Sequence, residues 1–214
     1  FQPVLGGTVA GAMHAVTGPD HLTGLIVPCA NKDMLTGALI GATWGVGHAL
    51  STMLVGMVLY LLKSRASVYG DIFDKISKFS SFLVGLSLVL IGVVGLFETL
   101  NHTNAHTTLE GTAESTRIPW GFILGNGVLH GFSIDGAVSI IPSLALDSWM
   151  GALVYLISYS SSTTVVMSAA AAALSAGVSR LERLLGSNAP QKLAYYSSLI
   201  SIMIGALWSF RSLL

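Results

Sequence analysis

The feature that most constrains this chain is the length of its apolar runs. Residues 35–62, 79–100, 149–178 and 193–214 are each long enough to meet the roughly 20 predominantly apolar residues a helix needs to cross a bilayer. Hydrocarbon offers the backbone no hydrogen bonds, so such a chain must fold as helices that satisfy their own N–H and C=O groups. Two further stretches, 4–30 and 119–146, are also long enough, but glycines, prolines and an aspartate interrupt each one, and they read as broken spans. The expectation is an all-α, polytopic membrane protein of about six transmembrane helices, the first and fourth broken, in a single transmembrane domain over 1–214.

Composition agrees. The 214 residues are 52% apolar and 9% charged, against roughly 25% charged in ordinary globular proteins. Ten basic and ten acidic side chains cancel, which leaves no electrostatic footprint for nucleic acid; the lipid bilayer is the expected partner. The single cysteine, Cys29, excludes an intrachain disulfide and a two-thiol redox cycle, and is expected to be a small buried hydrophobe. The chain opens at Phe1 with no basic leader, so the compartment is not written in it.

Most remaining charge falls in segments read as connections, 63–78, 101–117 and 180–192. Assigned to alternate sides, Lys63, Arg65, Lys75, Lys78 and Arg211 stand against Lys32, Arg117, Arg180, Arg183 and Lys192. The cations divide evenly, so the positive-inside rule gives no orientation.

An internal repeat organises the chain. His14, Asp20, Pro28 and Gly37-Ala38-Leu39 recur as His130, Asp135, Pro142 and Gly151-Ala152-Leu153, with spacings that match to within one residue. Three spans per half is an odd number, so the second copy must enter the membrane from the opposite side. The expected layout is an inverted 3+3 repeat: repeat 1 over about 1–100, a polar loop 101–118, and repeat 2 over about 119–214. Secondary transporters share this plan, with their sites where two broken helices meet near the midplane.

The first broken span reads His14-Ala15-Val16-Thr17-Gly18-Pro19-Asp20-His21-Leu22. Pro19 lacks an N–H and its ring clashes with the preceding turn, so one helix should end near Val16 and another begin with Pro19 in its first turn. His14 would then lie at the negative end of the upper half-helix, which favours a nearby cation, with Asp20 and His21 facing it across the break. The second broken span offers His130 and Asp135 but lacks the proline and the second histidine. His48 lies inside the longest apolar run, and its repeat counterpart falls in the polar run Ser160–Thr164.

A carboxylate at the centre of a spanning helix costs roughly 2.5 to 3.5 kcal/mol on insertion scales, and ionisable groups in spans usually pair or line a pathway. Four histidines and two aspartates in apolar context therefore point to function as a set. Each also has a structural reading: His48 and His130 as neutral histidines hydrogen-bonding between helices, Asp20 and Asp135 as helix caps. Imidazole plus carboxylate without thiolate suits Ni, Co, Zn, Fe or Mn, and ligand type does not choose among them.

The string His14–Leu22, followed by Gly47-His48-Ala49-Leu50-Ser51-Thr52, resembles the nickel/cobalt permease family and its relatives, the hydrogenase and urease accessory permeases of the lysine-exporter superfamily. It looks most similar to the Gly-Pro-Asp-His-Leu branch of bacteria and plastids. The resemblance implies a metal-binding set of His14, Asp20, His21 and His48, and residence in a bacterial plasma membrane or a plastid membrane. Five residues separate His14 from Asp20 where the best-described nickel/cobalt members have four. That shift turns Asp20 and His21 by about 100° on a continuous helix, which a break at Gly18-Pro19 absorbs.

The expected function is a permease for a divalent transition-metal ion, nickel or cobalt first, with the ion as substrate and no prosthetic group, working through His14, Asp20, His21, His48, His130 and Asp135. The alternative is a non-transporting membrane subunit with the same fold, serving assembly or structure of a larger complex. A homo-oligomer is compatible with either. An enzyme is not expected, since neither His-Glu-x-x-His nor Gly-x-Ser-x-Gly occurs. Glu98, His102, His106, Glu110 and Glu114 are read as a solvated loop that could gather metal, and Ala169–Ala173 and the Gly85, Gly92, Gly95 series as helix-packing surfaces.

Overall fold

The structure, a computed structural model, describes residues 2–29, 32–63, 66–105, 119–185 and 188–213. Within its helices some side chains lie outside the description, among them those of Asp20, Glu98, His102 and Asp135, and His106, Glu110 and Glu114 lie outside it entirely. Among the described residues every regular element is a helix: α1 (Gln2–Thr17), α2 (Pro19–Cys29), α3 (Met34–Leu62), α4 (Ala66–Ala105), α5 (Trp120–Gly131), α6 (Ile134–Leu144), α7 (Trp149–Leu185) and α8 (Asn188–Leu213). The order is short, short, long, long, twice over.

Both broken stretches are broken where helix chemistry requires it. α1 stops at Thr17, whose hydroxyl donates back to the Met13 carbonyl at 2.9 Å. Gly18 alone intervenes, and Pro19 is the first residue of α2, where its missing N–H costs no helical bond. The second break has no proline. There Phe132 and Ser133 leave the helix, and the Ser133 hydroxyl donates to the His130 carbonyl at 2.6 Å, satisfying one of the terminal acceptors of α5. The two helices that follow the breaks, α2 and α6, are both 11 residues long.

Among the described residues, three helical segments are long and apolar enough to cross a membrane: Met34–Leu62, Lys78–Phe97 and Trp149–Arg180. The face that α3 buries holds Gly37, Gly41, Trp44, Gly45, Gly47, His48, Ser51 and Thr52, while Leu35, Leu39, Val46, Leu50, Leu54 and Leu61 are exposed. Most of that face is small or polar, with Ile40, Val55 and Tyr60 also on it, while most of the helix's aliphatic residues face outward, the inverse of a water-soluble helix. It is the pattern of a helix whose solvent is lipid. The protein is a helical membrane protein.

Glycines set the close contacts. On α3, Gly37, Gly41 and Gly45 follow each other every four residues, and a Cβ on any of them would collide with Ser175, Met167 or Thr164 of α7. On α4, Gly85 and Gly92 lie against backbone of α8, and Gly95 against Ser198, so the expected packing role of that series holds. α1 lies on α7 through Gly7 and Gly11, and α5 lies on α3 through Gly127 and Gly131.

All three expected connections are shorter than composition suggests. α4 begins at Ala66, so most of 63–78 is helical; Asp71 with Lys75 has the i, i+4 spacing and acidic-before-basic order that support a solvated helix. α7 likewise continues to Leu185 and α8 begins at Asn188, which leaves little of 180–192 outside helices; Pro190 sits in the first turn of α8, where proline is tolerated. At the other end of the third connection, α4 continues through 101–105.

A candidate metal centre of buried histidines

The break in the first half puts two histidines face to face. His14 lies in the last turn of α1 and His21 in the first turn of α2, with their ring centroids 4.6 Å apart. α3 passes beside the break and adds His48, stacked on His14 at 5.1 Å and edge-on to His21 at 5.6 Å. One nitrogen from each of the three rings lies within 4.8 Å of the others. Metal–imidazole bonds of about 2.0 to 2.1 Å would bring tetrahedral ligand atoms to about 3.3 Å from one another, so small side-chain movements close the set around one ion.

All three rings are buried: His21 and His48 are 0% exposed and His14 is 7% exposed. Neither ring nitrogen of His48 has a hydrogen-bond partner. Leaving such a group without a hydrogen-bond partner costs about 1 to 3 kcal/mol, and an unsatisfied polar side chain in the interior calls for a cause. The reading of His48 as a hydrogen-bonding link between helices does not hold. Its neighbours on α3, Ser51 and Thr52, do bond, each donating to the His48 carbonyl, at 3.1 Å and 2.8 Å.

His130 comes from the second half, near the end of α5. It is fully buried, and its ring lies 5.7 Å from that of His21. Its Nδ1 lies 2.8 Å from the Asn126 carbonyl one turn earlier. A carbonyl only accepts, so Nδ1 carries the proton and Nε2 carries the lone pair. The bond is therefore within α5 and joins no two helices. His130 stands outside the group of three whose nitrogens converge. Asp20 and Asp135 each occupy the second position of the helix after a break, on α2 and α6, and their side chains lie outside the described set. Ser133, and not Asp135, is the N-cap residue of α6.

The surroundings contain residues the sequence did not single out for this site. Trp44, one turn before His48, stacks on it with centroids 5.3 Å apart and planes 8° from parallel. Spacing of i, i+4 could have placed both on one face. Tyr159 of α7 packs near His14 at 5.7 Å, and Ser139 of α6 sets its hydroxyl 2.9 Å from His14 Nδ1. No pattern local to either residue announces those contacts. The repeat counterpart of His48, the hydroxyl run on α7, serves packing: Ser162 donates to the Thr8 carbonyl at 2.8 Å and Thr163 to the Gly11 carbonyl at 3.1 Å, joining α7 to α1.

Fold and site together define a helical membrane protein with a buried histidine cluster at a helix break. No protein-family model and no solved structure matches the chain. It is 28% identical over 214 residues to chloroplast protein FOR GROWTH AND FERTILITY 1 of Arabidopsis thaliana, an alignment covering 93% of this chain and 56% of that protein. It is 28% identical over 208 residues to chloroplast protein FOR GROWTH AND FERTILITY 2 of the same plant, covering 93% and 54%. Urease accessory protein UreH of Bacillus sp. (strain TB-90) is 26% identical over 164 residues, covering 73% of this chain and 69% of that protein. The chain spans about half the length of the two plant proteins and is a distant relative of all three.

Proposed function

We propose that this protein is a membrane permease for a divalent transition-metal ion, nickel or cobalt foremost, and not an enzyme. His14, His21 and His48 hold the cargo, and Asp20, His130 and Asp135 extend its path. The observation that carries this reading is His48: a fully buried imidazole, with no hydrogen bond at either nitrogen, converging with two more histidines. A buried three-nitrogen set suits a borderline divalent ion and leaves coordination positions open, as release requires. The likeness of residues 14–22 and 47–52 to nickel/cobalt permeases, and the distant relation to a urease accessory protein, support nickel.

In this reading α1–α2 and α5–α6 each form one broken span of six, and the halves are an inverted 3+3 repeat. Their matching helix order, the equal lengths of α2 and α6, and the packing of α1 on α7 and of α5 on α3 support it. The membrane of residence is proposed to be a plastid membrane, as the plant relatives' names suggest, or a bacterial plasma membrane.

Nickel uptake into proteoliposomes tests the proposal. His14→Ala and Asp20→Asn should each lower flux sharply at normal protein levels. Normal flux in both would overturn it, and stable co-purification with a larger complex, with no metal bound, would favour a non-transporting subunit.

A further inference from the structure

Trp44 occupies a singular place among the histidines. Its indole centroid lies 5.0 Å from His21, 5.3 Å from His48 and 5.1 Å from His130. It lies parallel to His48, its neighbour on α3, and meets His130 edge-on at 67°. The three converging histidines all come from the first half of the chain, on α1, α2 and α3, and His130 is the second half's only histidine in the described cluster. The indole packs against two members of the first group and against His130 at once.

The indole is also held by packing alone. Trp44 is 1% exposed, and its Nε1–H has no hydrogen-bond partner. A buried N–H left unpaired raises the energy of the arrangement it sits in, and an alternative orientation in which that N–H finds an acceptor recovers the difference. An element with this property is suited to two positions. A Cβ on Gly127 would collide with the Trp44 carbonyl, so the backbones of α3 and α5 pack closely at this residue and the movement is assigned to the side chain.

We infer that Trp44 is the internal gate of the permeation path: its indole bars an ion held by His14, His21 and His48 from His130, and the ion crosses when the indole turns. His21, which neighbours His14, His48 and His130, is the ligand that stays with the ion during the transfer. His130 is oriented to receive it, since its Nδ1–H is committed to the Asn126 carbonyl and Nε2 bears the lone pair. Trp44 contributes no ligand atom; it sets when the second half of the chain gains the ion.

The inference rests on the permease reading, and the same preparation separates their failures. Ni²⁺ binding and Ni²⁺ flux are measured on the full chain with Trp44→Phe, with Trp44→Leu, and with each combined with His130→Ala. Either smaller side chain should leave the Ni²⁺ Kd within about threefold of the unsubstituted protein while raising flux by about threefold or more, as expected when a gate and not a ligand is altered. Adding His130→Ala should remove that gain. Flux and binding that change in the same proportion, an unchanged flux in a variant that binds normally, or a gain that survives His130→Ala overturns the gate alone. Trp44→Phe keeps an aromatic ring in the core, so the test stands if Trp44→Leu does not fold. Absence of Ni²⁺ binding and flux in the unsubstituted protein overturns the permease reading and the gate with it.

Discussion

Ser139 of α6 places its hydroxyl 2.9 Å from Nδ1 of His14, and so ties the histidine at the first break to the helix that follows the second. When Nδ1–H donates to that oxygen, Nε2 of His14 is left as the nitrogen that can ligate. The backbone carbonyl of Ser139 in turn accepts from the Tyr155 hydroxyl at 3.3 Å.

Ser139→Ala should therefore weaken nickel binding without removing a ligand. Partners that orient a metal-bound histidine are typically worth about 10- to 100-fold in affinity. Equilibrium binding to the detergent-solubilised protein reads this directly, and Ser139→Thr should restore most of the loss. An affinity unchanged by Ser139→Ala would show that His14 is oriented by packing alone.

Metal should stabilise the protein, and His48 should be required for it. Binding to the folded state adds RT ln(1 + [L]/Kd), about 2.7 kcal/mol at a hundredfold excess over Kd, visible as a rise in melting temperature with Ni²⁺. His48→Leu should abolish that rise. In the absence of metal the same variant should melt no lower than the unsubstituted protein, because it removes two buried nitrogens that have no partner. A marked drop in metal-free stability would show that His48 makes a structural contribution after all.

Glycine substitutions should divide sharply by location. At Gly41 and Gly127 a Cβ would meet the carbonyls of Met167 and Trp44, and backbone cannot move aside as a side chain can. Gly41→Val and Gly127→Val should give little monodisperse protein on size-exclusion chromatography. Gly121 and Gly177 face open space; alanine there should be tolerated and add about 0.5 to 1 kcal/mol of helix stability.

Asp33, ahead of α3, gives a pH dependence outside the membrane. Its carboxylate accepts from the Thr36 hydroxyl and from the Thr36 and Leu35 N–H groups, and the Thr36 bonds above all hold its pKa below the ordinary 3.8. A folded-state pKa below the unfolded value means the contribution is present above the unfolded pKa and lost as pH falls through the folded one. Thermal unfolding between about pH 5 and pH 2 should show that loss, and Asp33→Asn, which can still cap, should flatten it. An identical acid slope in both proteins would assign the slope to other groups.

Much of this arrangement could be read from particular residues. Pro19 marks the first break because proline punishes a continuing helix, and the structure stops α1 at Thr17. The second break carries no such residue; Phe132 and Ser133 are ordinary, and it was the glycines and the aspartate around them, with the parallel to the first half, that pointed to it. The histidines stood out by the cost of polar groups in hydrocarbon, yet their distances did not, because convergence of α1, α2 and α3 depends on glycine seams with α7 and α5. Ser139 lies 125 positions from His14, and a serine in an apolar helix gives no sign of so distant a partner. The helical start of α4 was hidden for the opposite reason: its charges read as a loop, though their i, i+4 spacing fits a solvated turn.

The packing of α1 on α7 and of α5 on α3 has a consequence for how the chain is made. Each half supplies the surface that the other half's first helix needs, so the seams of α1 have no match until α7 has been synthesised. The early helices must wait in the bilayer with Gly7 and Gly11 facing lipid or an insertion partner. Two fragments cut within 106–118 should therefore assemble only when expressed together, as interlocked pieces and not as independent folding units.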